Sequence, residues 1–115
     1  MHPSNLEVLP PNTTIDDFNK RILSAPGLVV VDFFATWCPP CQRLVTELPN
    51  IANENQNVTF IKVNVEENNV ISTAYKVTSI PHIAFLKNNN GTPQLLDTVV
   101  GFNLPKIKQN ISQFK

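Results

Sequence analysis

Two cysteines, Cys38 and Cys41, are the residues of this chain whose type and spacing are best suited to chemistry. Residues three apart on a helical turn are neighbours, so the two sulfurs can close a disulfide. Cys38 stands where a helix is expected to begin, and the helix dipole and free amide groups there favour a thiolate. Cys41 lies one turn deeper and is expected to be shielded. This asymmetry suits an attacking thiol and a resolving thiol.

The same spacing of two cysteines also occurs in structural roles. Half of a zinc site and a pair of structural thiols both show the C-x-x-C pattern. Pro39 and Pro40, between the cysteines, are compatible with a helix that begins there, because the first helical positions tolerate proline. A tetrahedral zinc needs four ligands; besides the cysteines the chain offers only His2 and His82, and His2 lies in the expected flexible tail. We therefore expect redox chemistry without a metal or another cofactor.

The elements that must position the cysteines alternate between strand and helix. Residues 28–34 are β-branched or aromatic and nearly all apolar, which is typical of a central strand buried on both faces. Helices are expected to begin after Thr13 or Thr14, near Cys38, at Val70 and after Asn103. Further strands are expected at residues 6–9, 58–65, 83–86 and 95–100, the last two forming a hairpin around Asn90-Gly91.

The resulting order, β-α-β-α-β-α-β-β-α, predicts a layered α/β domain with a parallel part and an antiparallel edge. We expect one domain over residues 1–115, with residues 1–5 as a flexible tail. Nine basic residues balance nine acidic ones, and no basic block is present, which argues against nucleic acid or anionic lipid as a partner. No apolar run approaches the ~18 residues of a membrane span, and the N-terminus lacks signal-peptide features. The expected location is the cytoplasm.

Several segments together resemble the thioredoxin family, over residues 6 to 114. Val-Asp-Phe-Phe-Ala-Thr-Trp-Cys-x-Pro-Cys at residues 31–41 is similar to the active-site strand and loop of the family. Residues 60–65 resemble its third strand, Ser79-Ile80-Pro81 its cis-proline segment, and Val100-Gly101 the glycine after its last strand. The resemblance implies the thioredoxin fold, a mixed five-stranded sheet flanked by four helices.

The resemblance also implies roles for the residues around the thiols. Cys38 would be the nucleophile and Cys41 the resolving thiol. Asp32, the single charge in an apolar strand, would be a buried carboxylate beneath Cys41 that accepts its proton, since burial raises a carboxyl pKa. Lys62 would be the charge partner of Asp32. The alternatives are a buried Asp satisfied by hydrogen bonds and a lysine solvated on its strand.

Five further residues would bind the substrate. Pro81, after Ile80, would be a cis-proline whose backbone pairs with an extended substrate, and Gly101 would leave space for the substrate backbone. Trp37 would shield the thiols and floor the groove, although a Trp in the core is the alternative. Phe102 would complete the groove, where the family usually has a small residue.

Further departures from the family pattern concern redox potential and partners. Glycine is commonest where this chain has Pro39, and His82 follows the cis-proline position, where threonine is common. Pro39-Pro40 is similar to membrane-tethered members that serve cytochrome maturation. Those members usually carry an anchor and an insertion, which are not found here.

The predicted function is therefore thiol–disulfide exchange. We expect a monomeric reductase of protein disulfides, acting on disulfide-containing clients and recharged by a thioredoxin reductase. A more oxidising or cytochrome-maturation-like exchanger is one alternative, because the residues between the cysteines tune the potential. A non-catalytic module that binds a partner through the same groove is the second.

Overall fold

The computed structural model describes residues 2–115 and shows the predicted order of elements. The nine elements are β1 (Leu6–Val8), α1 (Ile15–Ser24), β2 (Val29–Phe34), α2 (Pro39–Glu54), β3 (Thr59–Asn64), α3 (Asn69–Ala74), β4 (His82–Asn89), β5 (Thr92–Val100) and α4 (Leu104–Phe114). None of these helices is both long and apolar enough to cross a membrane.

The five strands form one mixed sheet in the order β1-β3-β2-β4-β5. β1, β3 and β2 run parallel, whereas β4 is antiparallel to β2 and to β5. Parallel neighbours need a crossover connection, which α1 and α2 provide. The expected parallel part with an antiparallel edge is confirmed, and β2 lies at its centre.

Each face of the sheet carries its own core, and the alternation along β2 decides which residue faces which helix. Val30 packs with Leu44 and Leu48 of α2. Val31 and Phe33 pack on the opposite face, against α1 and α3. Since successive side chains of a strand point to opposite faces, Asp32 shares the α2 face with Val30.

Side chains fix where two helices begin. The Thr14 hydroxyl accepts a hydrogen bond from the Asp17 amide at 3.1 Å, which selects Thr14 over Thr13 as the cap of α1. The Asn103 side chain accepts from the Lys106 amide at 3.2 Å and caps α4 as expected. Such caps satisfy amides that have no partner within the helix.

The hairpin is longer than the apolar pattern predicted. Strands were expected at 83–86 and 95–100, but β4 and β5 pair as far as Asn89 and Thr92. Asn90 and Gly91 form the turn with φ values of 52° and 87°, the left-handed conformation of the tight hairpin turn. The backbone ladder therefore continues through polar residues that a hydrophobic pattern does not mark.

The N-terminal segment reaches the far end of α2. The Asn5 side-chain nitrogen lies 2.9–3.0 Å from the carbonyl oxygens of Ala52, Asn55 and Val58. Met1 lies outside the described residues, and the flexibility expected for residues 1–5 stays a prediction.

Candidate active site

Both cysteines lie at the start of α2, where the sequence placed them. Cys38 is the N-cap residue, and its Sγ accepts a hydrogen bond from the Cys41 amide at 3.3 Å. Pro39 and Pro40 occupy the first helical positions, where the missing amide hydrogens leave no helical bond unmade. A disulfide joins the two cysteines across a Cα–Cα distance of 5.2 Å. In the reduced protein, the Cys41 amide and the helix dipole would both stabilise a Cys38 thiolate.

The two sulfurs differ more in their polar neighbours than in their exposure. Cys38 is 3% exposed and Cys41 1%, so in the disulfide form the sulfur of Cys38 is shielded almost as fully as that of Cys41. Ala35 packs against the cysteines, with Val65 and Ile80 around them. Cys38 Sγ lies 3.8 Å from the Ile80 carbonyl oxygen, in addition to accepting the hydrogen bond from the Cys41 amide. Hydrogen bonding and position in the helix therefore distinguish Cys38 from Cys41.

Asp32 is buried on the α2 face without a hydrogen-bond partner for either carboxyl oxygen in residues 2–115. Burial raises its pKa from 3.8 to about 7, and the positive charge of Lys62 opposes that rise. Within residues 2–115 the carboxyl group lacks the hydrogen bonds that the alternative, a satisfied buried Asp, would show. A carboxyl group with a pKa near 7 can accept and return a proton at neutral pH.

Lys62 influences Asp32 without a direct ion pair. The two residues are paired in register on β3 and β2, but the structure of residues 2–115 has its salt bridge elsewhere, between Arg21 and Glu7. The Lys62 ammonium instead lies 4.7 Å from the centroid of the Phe34 ring. The expected charge partnership is therefore electrostatic and acts through space.

Pro81 and Gly101 come together beside the cysteines. The Ile80–Pro81 peptide bond is cis, and the Pro81 carbonyl accepts a hydrogen bond from the Gly101 amide at 2.8 Å. Gly101 has a φ of +93°, a backbone conformation that residues other than glycine rarely adopt. A Cβ atom at this position would meet no atom within 4 Å. The backbone conformation thus requires glycine, and the space above it is open.

The predicted substrate-binding residues divide between two places. Trp37 is 67% exposed, which excludes a core role. A groove of about 290 Å³ lies beside Trp37 and Ile80 and is also lined by Thr73, Val77 and Thr78. Sequence reasoning missed these last three residues, and their place just before the cis-proline segment was the available signal.

Phe102 does not line that groove. It is 37% exposed, and the Arg43 guanidinium lies 5.3 Å from the centroid of its ring. The contact joins α2 to the segment between β5 and α4. Sequence reasoning missed Arg43, because nothing local relates it to Phe102.

His82 is a buried titratable group on the other face of the sheet. Its Nε2 has no partner within residues 2–115, and burial lowers its pKa. Its ring packs edge-to-face with the Phe33 ring, with 5.7 Å between the two ring centroids. The side chain is therefore held neutral near pH 7.

Comparison with known proteins addresses almost the whole chain. The family model described as Thioredoxin matches residues 10–113. The chain belongs to the thioredoxin family. A solved thioredoxin of Trichomonas vaginalis is 47% identical, with a TM-score of 0.91 over 96% of this chain and 98% of that one. A Fasciola hepatica thioredoxin structure is 35% identical, with a TM-score of 0.82 over 95% and 99% of the two chains.

Curated relatives agree with the structural neighbours. Thioredoxin H3 of Arabidopsis thaliana is 32% identical over 105 residues, which are 89% of this chain and 86% of the relative. Family membership and the Cys38–Cys41 disulfide identify this thioredoxin-family chain as a thiol–disulfide oxidoreductase. The predicted thioredoxin fold is confirmed by the same neighbours.

Proposed function

We propose that this chain reduces disulfide bonds of client proteins. The observation that carries the proposal is the Cys38–Cys41 disulfide at the N-terminus of α2, with Cys38 as N-cap. That position stabilises a thiolate on Cys38 when the pair is reduced, and a thiolate is the species that attacks a disulfide. The supporting observation is the Asp32 carboxyl on the α2 face, whose pKa of about 7 suits proton transfer.

The reaction proceeds in two exchanges. The Cys38 thiolate attacks one client sulfur, a mixed disulfide forms, and the other client sulfur leaves as a thiolate that takes up a proton. Cys41 then loses its proton to Asp32 and attacks Cys38 Sγ, which forms the Cys38–Cys41 disulfide and releases the second client sulfur. Asp32 returns its proton to that sulfur or to water. Two electrons have then moved from the cysteine pair to the client, and the two client thiols have gained two protons, which balance the proton that Cys38 gave to water when its thiolate formed and the proton of Cys41.

An extended client segment would bind along the Ile80-Pro81 backbone. The Cys38 sulfur already lies beside the Ile80 carbonyl, so a strand paired there would bring its disulfide to the thiolate. Trp37 would cover the reacting sulfurs from the exposed side, and Gly101 would leave room for the client backbone. Phe102 would contact the client at the α2 edge.

Continuous turnover needs a source of electrons, for which we propose a thioredoxin reductase. A disulfide reductase works where thiols are kept reduced, so the cytoplasm is the proposed location. We further propose that the working form is a monomer. Light scattering of the reduced and oxidised protein would measure the oligomeric state.

The function is tested by reduction of insulin disulfides with NADPH and a thioredoxin reductase. The expected result is catalytic reduction by the wild type and none by Cys38→Ser, the matched control. Turnover with dithiothreitol but not with the reductase would favour the more oxidising exchanger. No turnover, together with partner binding that survives both Cys38→Ser and Cys41→Ser, would favour the binding module.

A further inference from the structure

A charged and aromatic pair, Arg43 and Phe102, lies at the edge of the active site. Phe102 directly follows Gly101, whose amide donates to the Pro81 carbonyl. Ile80, the neighbour of Pro81, has its own carbonyl beside Cys38 Sγ. The Phe102 backbone is therefore fixed close to the reacting sulfurs by one hydrogen bond and a short stretch of chain.

Arg43 brings a positive charge to the same edge. It lies five residues after Cys38, which corresponds to about 7.5 Å along a helix axis. The side chain is exposed, and its guanidinium rests against the Phe102 ring at 5.3 Å. A cation over an aromatic face is weakly held there by the charge distribution of the ring. Phe102 thus orients Arg43 and leaves its N–H donors available.

The charge of Arg43 has no partner among residues 2–115. Its guanidinium makes no salt bridge in that part of the chain. The first turn of α2 carries no acidic residue, and Glu47, the next acid along the helix, lies farther from the cysteines. The segment that follows Gly101 adds Lys106 and no acid before it. Arg43 is therefore the first charged side chain of α2 after the cysteines; Glu47 follows one turn later on the same side of the helix and forms no salt bridge with it within residues 2–115.

We propose that Arg43, oriented by Phe102, selects client segments that carry a carboxylate near the attacked disulfide. The inference rests on the proposed reduction of client proteins. An extended client advances about 3.3 Å per residue, so a Glu two or three residues from the attacked cysteine reaches Arg43. Guanidinium and carboxylate groups fit each other geometrically. Arg43 is a specificity-determining residue that contacts the client away from the reacting sulfurs.

The experiment compares two peptides that differ by one charge type. Both contain an internal disulfide, with Glu two and three residues from each cysteine in one peptide and Gln at the same positions in the other. The second-order rate constant for reduction by the fully reduced protein is measured from the release of peptide thiols. The wild type is expected to favour the Glu peptide about 3-fold at low ionic strength, as an exposed ion pair would. At about 0.5 M salt the ratio is expected to approach 1.

Three variants separate a specific contact from a general charge effect. Arg43→Gln is expected to lower the Glu-to-Gln rate ratio to about 1. Phe102→Leu is expected to lower it part of the way, because the ring that orients Arg43 is lost. Lys20→Gln is the matched control: it removes an exposed positive charge from α1, which packs on the other face of the sheet, and should keep the wild-type ratio.

The outcomes distinguish this inference from the function on which it rests. If the wild type reduces both peptides at equal rates, or if Arg43→Gln keeps the preference, the inference is overturned while the proposed function stands. If the wild type reduces neither peptide nor insulin, the proposed function fails and the inference fails with it. A preference that Lys20→Gln loses as fully as Arg43→Gln would also overturn the role of Arg43.

Discussion

Asp32 and His82 are two buried titratable groups at neighbouring places in the sheet. His82 is paired with Phe33, the residue after Asp32, across β2 and β4. Both side chains have buried polar atoms without a partner in residues 2–115. Burial raises the pKa of Asp32 to about 7 and lowers the pKa of His82. The same desolvation therefore favours the neutral form of each group.

Their surroundings make the two groups different in consequence. Asp32 faces the core beneath α2, the helix that carries both cysteines. His82 lies against Phe33, whose ring also meets the Tyr75 ring at 5.7 Å. One step along a strand moves a side chain to the other face. Burial brings the pKa of Asp32 to about 7, and the face on which Asp32 lies puts this carboxyl beneath the helix of the cysteines, where we propose that it transfers a proton.

Replacing the cysteines should have the largest effect, because they supply the chemistry on the α2 face of the sheet. Cys38→Ser is expected to lower insulin reduction by about 10³-fold or more, because the attacking sulfur is lost. Cys41→Ser should still attack and should trap the client as a mixed disulfide. Iodoacetamide should label Cys38 in Cys41→Ser faster, near neutral pH, than Cys41 in Cys38→Ser. The reverse order of labelling would contradict the assignment of the nucleophile.

Asp32→Asn should change the stability of the oxidised protein in a pH-dependent way. The folded-state pKa of Asp32 is raised from 3.8 to about 7, so between these values the folded chain holds a proton that the unfolded chain releases. Wild-type stability should therefore fall as the pH rises from about 4 to about 7, by up to about 4 kcal/mol. Urea unfolding from pH 4 to pH 8 should show that the stability of Asp32→Asn depends less on pH than that of the wild type, and that the variant is the more stable protein at pH 8. Equal pH dependence of both proteins would contradict the raised pKa.

The same variant should slow the second exchange of the reaction. Loss of a general base typically reduces a rate by about 10²-fold, so release of client from the mixed disulfide should slow by that order. Quenched single-turnover reactions with a disulfide peptide measure this step. Asp17→Asn removes an exposed carboxylate from α1 and serves as the control. Unchanged rates above and below neutral pH would rule out proton transfer by Asp32.

His82 should contribute to stability with a pH dependence opposite in sign to that of Asp32, and His82→Leu should remove this contribution. The folded chain keeps His82 neutral, whereas the unfolded chain binds a proton below its ordinary pKa of 6.5. Stability from this residue is therefore lost as the pH falls through that region, and the variant should lose less. Removing the unpartnered Nε2 should also add about 1 kcal/mol at pH 7. Thermal unfolding at pH 5 and pH 7 measures both effects, and insulin reduction should change less than in Asp32→Asn.

Pro39→Gly should have the smallest effect and should sharpen the comparison by testing α2 alone. Proline restricts the loop in the reduced form, so less entropy is lost when the disulfide closes. Its replacement should leave the reduction potential unchanged or slightly less negative, by no more than about 30 mV. Equilibration of both proteins against a glutathione series measures the difference. A variant clearly more reducing than the wild type would contradict this account of the loop.

The order of elements was predictable because each strand and helix carries its own local signal. Residues 28–34 and the caps at Thr14 and Asn103 are examples. The length of the hairpin was not, because its outer part is held by backbone pairing across polar residues, ending at Asn89 and Thr92. Hydrophobic periodicity carries no information about such a ladder.

The candidate site divides in the same way. The cysteines, the cis-proline segment and Asp32 form short motifs or a clear anomaly in an apolar strand, so they could be found from the sequence. The contact between Arg43 and Phe102 depends on how α2 and the end of β5 pack, and the isolated charge of Arg43 becomes visible only then. Lys62, the predicted charge partner of Asp32, is paired with it in register, whereas its ammonium lies over the Phe34 ring, a placement that only the packing reveals.

The position of α2, the helix of the cysteines, depends on Asn5 as well as on the sheet beneath it. α2 begins with the cysteines and ends where the Asn5 amide meets the carbonyls of Ala52 and Asn55. Between these ends, Pro49 has no amide hydrogen to donate to the Val45 carbonyl. The last turn of α2 is therefore fastened from outside the helix, by a residue at the beginning of the chain. A protein engineer who shortens or fuses that beginning alters the support of the catalytic helix without touching a catalytic residue.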